Sequence, residues 1–258
     1  MPLEPTWIPR ALLLSEEAGW NQNEADWAVF FRYGTVLGFA ADDRLVATAA
    51  ALPYGDGFGW ISMVLVTADW RRRGLASRLV AACTSLLRDA GRGAILDAAP
   101  AAVSIYASLG FIPMGTMERW EGHGGEGKAA AAPANLVLDQ FAFGADRRFL
   151  LEDFLSRPGT LAFGLPHSFA ILRQGSSASQ IGPIIAEPSE AQTLVTEAIR
   201  AASGRVVVDI LDAGNILIPV LTSHGFRRQR CFTRMALGLA KLPGNPAHLL
   251  AAAGPEFG

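Results

Sequence analysis

The stretch VSIYASLGF at 103–111 returns near the other end of the chain as IPVLTSHGF at 218–226, with a serine and the Gly-Phe ending held in register. Its surroundings return with it. GAILDA (93–98) is echoed by RVVVDIL (205–211), WISMVLV (60–66) by QIGPIIA (180–186), and LASRLVAACTSLLRDAG (75–91) by EPSEAQTLVTEAIRAASG (187–204). Segments recurring in the same order point to one fold unit used twice. Convergence of two ordinary αβ units is the other reading of so short and gapped a match. With 258 residues, 50% of them hydrophobic, the chain is long enough for two cores.

Local patterning describes the unit. TVLGFAAD (35–42), RLVATAAALPYG (44–55) and FGWISMVLV (58–66) are apolar runs parted by turn residues, which predicts an antiparallel meander. The segment 75–91 sets Leu75, Leu79, Cys83, Leu86, Leu87 and Ala90 on one helical face and stops at Gly91. GAILDA reads as a strand, 101–110 as a helix, and FIPMGTMER (111–119) as the strand that closes the half. The order β-β-β-α-β-α-β implies a mixed, mainly antiparallel twisted sheet flanked by helices. Residues 120–134, WEGHGGEGKAAAAPA, are glycine- and alanine-rich without periodicity. They read as a linker. We place a first domain at 1–122, the linker at 123–134 and a second domain at 135–258.

Charge and composition exclude several classes. A formal net charge of −2 offers no global basic field for nucleic acid or an anionic membrane. Cys83 and Cys231 form no C-x-x-C pattern, and His123, His167, His224 and His248 are scattered, so neither a metal site nor a serine–histidine triad is expected. The start, MPLEPTWIPRALLL, lacks the pattern of a leader, and no run reaches ~20 apolar residues. Cytoplasm is the default expectation. YGDGFG (54–59) precedes a strand instead of following one, which suits a hairpin turn better than a dinucleotide loop.

Against that background, ADWRRRGLA (68–76) is a local device. A glycine between a strand and a helix lets backbone N–H groups converge, and the helix N-terminus adds roughly half a positive elementary charge. Arginines beside that positive end imply a compensating polyanion, most simply phosphate. Pairing of Arg71, Arg72 and Arg73 with Asp69 or Asp89 as ordinary surface charges is the alternative. The second half has AEPSEAQTL there, with two glutamates and no arginine or glycine.

The pattern V-x-V-x4-R-x-x-G-x-A (Val64, Val66, Arg71, Gly74, Ala76), followed by Y-x-x-L-G-F at 106–111, resembles the GNAT superfamily of acyl-CoA-dependent N-acyltransferases. GWNQNEADW (19–27), LDAAPAAVSIYASLGF (96–111), FGADRRFLLEDFL (143–155), IGPIIAE (181–187) and FTRMALG (232–238) are similar to a bacterial tandem form. In that form a catalytic domain precedes a degenerate GNAT-like one without its own coenzyme A site. The resemblance implies that backbone groups of Val64, Leu65 and Val66 bind the pantetheine arm of acetyl-CoA. Arg71, Arg72, Arg73, Gly74, Leu75, Ala76 and Ser77 would hold its pyrophosphate. Ala76 stands where the family often has a second glycine. Tyr106 inherits the place of the acid that protonates the leaving thiolate, a role a phenol of pKa ~10 can fill at neutral pH. Leu221 stands there in the second copy.

The reaction implied is direct attack of a primary amine, on a small molecule or peptide, on the acetyl-CoA thioester, without a metal. Trp20, Asn21 and Gln22 would border the acceptor site. Asp26, Glu24, Asp97 and Glu118 are open candidates for the base, each equally a surface or capping carboxylate. A non-catalytic acetyl-CoA-binding regulatory module is the competing class; Tyr106 beside the loop favours the enzyme. No nucleic-acid or membrane partner is expected, and a homodimer is compatible with this reading.

Overall fold

A computed structural model describes residues 1–128 and 131–258. Residues 129 and 130, inside the segment read as a linker, lie outside the described residues. The chain divides into two compact units. Unit 1 is Met1–Pro113 with Met235–Ala240, and unit 2 is Met114–Arg234 with Lys241–Gly258.

Unit 1 opens with α1 (Ile8–Glu17) and α2 (Glu24–Tyr33), followed by β1 (Thr35–Ala41), β2 (Arg44–Tyr54), β3 (Phe58–Val66), α3 (Leu75–Asp89), β4 (Gly93–Ala98) and α4 (Val103–Ser108). Each boundary has a local cause. α2 starts at a capping box, with Asn23 and Asp26 exchanging side-chain-to-backbone hydrogen bonds at 3.1 and 3.0 Å. β1 turns into β2 through Asp42 and Asp43, both at positive φ (50° and 61°), the two-residue turn whose twist suits a tight hairpin. α3 ends where Gly91 takes φ 74° and Arg92 N–H reaches back to the Leu87 carbonyl at 2.9 Å. Its buried stripe is Leu75, Leu79, Val80, Cys83 and Leu87. Leu86 and Ala90, expected on that face, are exposed, because steps of four from Leu75 carry the apolar line through Cys83 to Leu87 and past both. Strands β1, β2 and β3 are antiparallel and β4 joins β3 in parallel.

Unit 2 repeats the order: α5 (Leu136–Phe143), α6 (Arg148–Ser156), β6 (Leu161–Leu165), β7 (Ser168–Gln174), β8 (Ser179–Ile185), α7 (Pro188–Ala201), β9 (Arg205–Leu211) and α8 (Ile218–Ser223). Its antiparallel β6, β7 and β8 and parallel β8–β9 pair match unit 1 strand for strand. Each unit thus carries a mixed, mainly antiparallel set of strands flanked by helices, as the repeated pattern predicts.

The last strands trade places. β5 (Ile112–His123) was expected to close the first half, but from Met117 to His123 it pairs with β9 in unit 2. Conversely β10 (Arg227–Leu237) ends in unit 1, where Met235 is fully buried in the core under α3 and Leu239 covers Gly93. Hydropathy along each strand is the same in either location, so sequence alone did not reveal the exchange. After β5, Gly124, Gly125, Glu126 and Gly127 donate backbone hydrogen bonds to Gly204 and the end of α7, so this part of the glycine-rich segment is docked.

A short β11 (Leu249–Ala251) completes unit 2. It lies between β8 and β9 where those strands part, with Ala251 opposite both Ile184 and Ile210. Gly182 permits this, since a Cβ there would sit 2.0 Å from the Ala252 carbonyl oxygen.

Candidate functional site

The site grows from a fork in the sheet of unit 1. β3 and β4 pair at Phe58–Gly93, Gly59–Ala94 and Trp60–Ile95, and beyond Trp60 no described residue pairs with β3 on that side. A bulge marks the divergence. Between Ser62 and Leu65 the register against β2 slips, Met63 takes φ 53°, and buried Thr48 Oγ1 donates to the Met63 carbonyl at 2.8 Å. Bulged strands bend. Thr67 N–H donates to the Val46 carbonyl at 3.0 Å, so by alternation Leu65 also faces β2. Val64 and Val66 turn their N–H groups to the open side. The Val66 carbonyl accepts from Arg71 Nε at 3.0 Å, which ties the following loop to the strand end.

The loop then reaches α3. Arg72 and Gly74 both adopt positive φ, 62° and 73°, and no atom lies within 4 Å of a Cβ built on Gly74. Gly74 is the N-cap and brings no side-chain cap, and no acidic residue stands in the first turn. The N–H groups of Leu75, Ala76 and Ser77 therefore have no partner within the helix. Neither carboxylate proposed as a neutralising partner serves the loop arginines. Asp69 is held by Arg44 at 2.9 Å, which keeps its carboxyl below the usual range, and Asp89 lies 3.7 Å from Arg88. Arg73 instead donates to the Asp69 carbonyl at 3.0 Å and stacks on Trp70, 4.5 Å from the ring centre. All three arginines are exposed, and Arg72 makes no hydrogen bond to a described residue.

Tyr106 belongs to the core cluster that holds Leu75 and Leu79 of α3 and Ala98 at the end of β4. The fold thus brings the tyrosine, the first turn of α3 and the splayed end of the sheet to one face. Burial pushes its phenol up to about 12, so it is protonated throughout the neutral range.

The connection between α1 and α2 joins this region through a contact the sequence did not signal. Glu17, the last residue of α1, accepts from Thr67 Oγ1 at 2.7 Å and from Ala68 N–H at 2.8 Å. The Thr67 hydroxyl, then the Ala68 amide, hold its carboxyl below the usual range. Because these partners lie fifty residues away in the chain, no short motif could announce them. Residues 18–23 consequently begin beside the open end of β3. Asn21 and Gln22 are buried, Trp20 is half-buried, and Gln22 Oε1 is sealed from solvent without a hydrogen bond among the described residues.

Of the base candidates, fully buried Asp26 caps α2 and Glu24 is exposed on its first turn. Asp97 is half-buried two residues past Ile95, on the face opposite Leu96 and Ala98. Glu118 belongs to unit 2, paired with Arg228 at 2.9 Å. Among the described residues no group of three His, Cys, Asp or Glu is placed to hold a metal ion, and no helix is long and apolar enough to cross a membrane.

Unit 2 has the same fork in different condition. β8 and β9 pair over three residues and part, but β11 fills the gap, with Ala252 N–H bonded to the Asp209 carbonyl at 2.9 Å and Ala186 N–H to the His248 carbonyl at 3.0 Å. α7 begins at Pro188 after Glu187, and Leu221, at the place of Tyr106, is fully buried.

Comparison with known proteins agrees with this architecture. An acetyltransferase (GNAT) family model matches residues 7–111 and an acetyltransferase (GNAT) domain model matches 136–251. An uncharacterized N-acetyltransferase of Bacillus subtilis (strain 168), YitH, is 23% identical over 236 residues, which is 84% of this chain and 83% of that protein. A crystal structure from Pyrococcus horikoshii, assigned as an acetyltransferase, superposes with a TM-score of 0.85 at 18% identity, covering 100% of this chain and 95% of the other. A tandem GNAT protein from the clavulanic acid biosynthesis pathway superposes with a TM-score of 0.61 at 13% identity, covering 92% and 97%.

Proposed function

Because the chain carries two GNAT domains in tandem, we propose that unit 1 moves an acetyl group from acetyl-CoA to a primary amine by direct attack, while unit 2 has no donor site. The observation that carries this reading is the fork of β3 and β4 opening onto an uncapped helix N-terminus with three exposed arginines. The N–H groups of Val64 and Val66 suit the amide-rich pantetheine arm, added like a strand beside β3. Those of Leu75, Ala76 and Ser77, reinforced by Arg71, Arg72 and Arg73 around Gly74, suit the pyrophosphate. Trp20, Asn21 and Gln22 border the acceptor side.

In the reaction the neutral amine nitrogen forms a bond to the thioester carbonyl carbon, and the carbonyl electrons pass to oxygen, which a β3 amide steadies. The C–S bond then breaks as the sulfur takes a proton from Tyr106. The proton lost by the amine leaves through water to a carboxylate base and restores the phenol. In unit 2 the donor arm would meet β11, and the phosphates would meet Glu187 and Glu190 instead of arginines.

The test is thiol release from acetyl-CoA with a panel of small amines, amino acids, polyamines and peptides. Amine-dependent release above hydrolysis supports the enzyme. Tight acetyl-CoA binding with no release from any amine would turn the reading toward a sensor.

A further inference from the structure

The segment 18–23 of unit 1 is fixed at both of its ends. At its start α1 closes through Gly19 at φ 65°, with the Gly19 N–H bonded to the Glu16 carbonyl at 3.0 Å and the Trp20 N–H to the Ser15 carbonyl at 2.9 Å. At its end Asn23 caps α2 through the Asp26 N–H. Trp27 Nε1 of α2 donates to Ser15 Oγ of α1 at 3.0 Å, a buried bond that ties the two helices. Trp20, Asn21 and Gln22 therefore follow the last turn of α1.

Glu17, in that turn, is held by the donor side of the site. Its Oε1 accepts from the Ala68 N–H at 2.8 Å and its Oε2 from Thr67 Oγ1 at 2.7 Å. The buried Thr67 hydroxyl already accepts from Arg44 Nη2 at 2.7 Å, so its one proton points toward a carboxylate, and Glu17 lies nearer than Asp69 at 3.2 Å. The loop has further ties of its own. The Thr67 N–H reaches the Val46 carbonyl, the Trp70 N–H the Thr67 carbonyl and Arg71 Nε the Val66 carbonyl, each at 3.0 Å. Losing Glu17 would thus leave the loop held and free the acceptor side. With both oxygens engaged, the carboxyl stays below the usual range, which ill suits a base working near neutrality. Glu17 is also exposed, where a side chain adds little to stability.

We propose that Glu17 is a positioning residue for acyl transfer, holding residues 18–23 in fixed relation to the end of β3 and the arginine loop. This role rests on transfer by unit 1 as read above. Through Thr67 and Ala68 the strand that faces the donor sets the place of the segment that faces the acceptor.

The test uses the full chain and an amine turned over in the thiol-release panel. Glu17→Ala should raise the KM for the amine roughly tenfold, keep the acetyl-CoA Kd within about twofold and keep the Tm within about 2 °C of wild type. Glu17→Gln, which retains an acceptor oxygen, should restore most of the KM and leave the pH–rate profile in place. Loss of the ascending limb in that variant would overturn the proposal by making Glu17 the base. Thr67→Val should raise the same KM in part, and the double variant should be no worse than Glu17→Ala alone, since both remove one contact. Additive effects, or a lower rate at unchanged KM, would overturn the positioning role. Hydrogen exchange needs no amine. In Glu17→Ala, residues 18–23 should exchange roughly tenfold faster while acetyl-CoA still protects 64–77. Unchanged exchange at 18–23 overturns the role of Glu17 alone, whereas absence of protection at 64–77 in the wild type overturns the donor site, and that role with it.

Discussion

Tyr106 and Cys83 share the core of unit 1, and burial raises both, the phenol from 10 and the thiol from 9, to about 12 each. Their neutral forms are favoured in the folded state, so this contribution is fully present below pH 9 and is lost as pH climbs toward 12. Melting temperature should therefore drop more steeply above pH 9 than carboxylate and histidine titration can explain. Cys83→Ala should flatten the onset of that drop, and an unchanged slope in melts across the alkaline range would contradict the assignment. The same burial means Tyr106 gives no descending limb to a rate profile near neutrality. Tyr106→Phe, which keeps the ring and removes the proton, should lower turnover roughly 10²-fold with little change in acetyl-CoA Kd. Equal turnover would remove Tyr106 from the chemistry.

At the scale of elements, the N-terminus of α3 joins two independent sources of positive potential, the unpartnered amides and the exposed arginines. Charge reversal at Arg72 and Arg73 together should raise the acetyl-CoA Kd at least tenfold, since a hydrogen bond to a charged group is worth about 1.5–3 kcal/mol. Wild-type affinity should fall with added salt more steeply than that of the variant. Calorimetric titration reads both quantities. It should also return one acetyl-CoA per chain; two equivalents would mean that β11 yields the fork of unit 2. The loop itself was legible in ADWRRRGLA because glycine, arginine and a helix start lie within a few residues. Its surroundings were not. Glu17 anchors the end of β3 from fifty residues away, and Arg44 takes the carboxylate that local sequence offered to the loop.

For the whole molecule, the exchanged strands make each unit depend on a distant part of the chain. A fragment ending at residue 122, the boundary suggested by composition, would lack Met235, which is fully buried in unit 1, and Leu237, which packs on the same cluster. Loss of a buried methionine alone costs about 2–5 kcal/mol, much of the stability of a small domain. The fragment should melt well below the full chain or fail to fold, as circular dichroism would show. A fragment as stable as unit 1 in the full chain would argue that the exchange contributes little.

The sequence by itself determined the repeated order of strands and helices, the turn at Asp42–Asp43, the end of α3 at Gly91 and the position of the arginine–glycine loop that precedes α3. Each depends on spacing or backbone freedom within about one turn or hairpin, where propensity and periodicity act. Only the tertiary structure decided where the last strand of each half runs, that β11 fills the second fork, and that Arg119 and Arg205 are engaged by Asp209 and Glu121. Those outcomes depend on pairing between segments far apart in the chain. A strand's hydropathy records that one face will be buried, but it does not name the neighbour that supplies its hydrogen bonds.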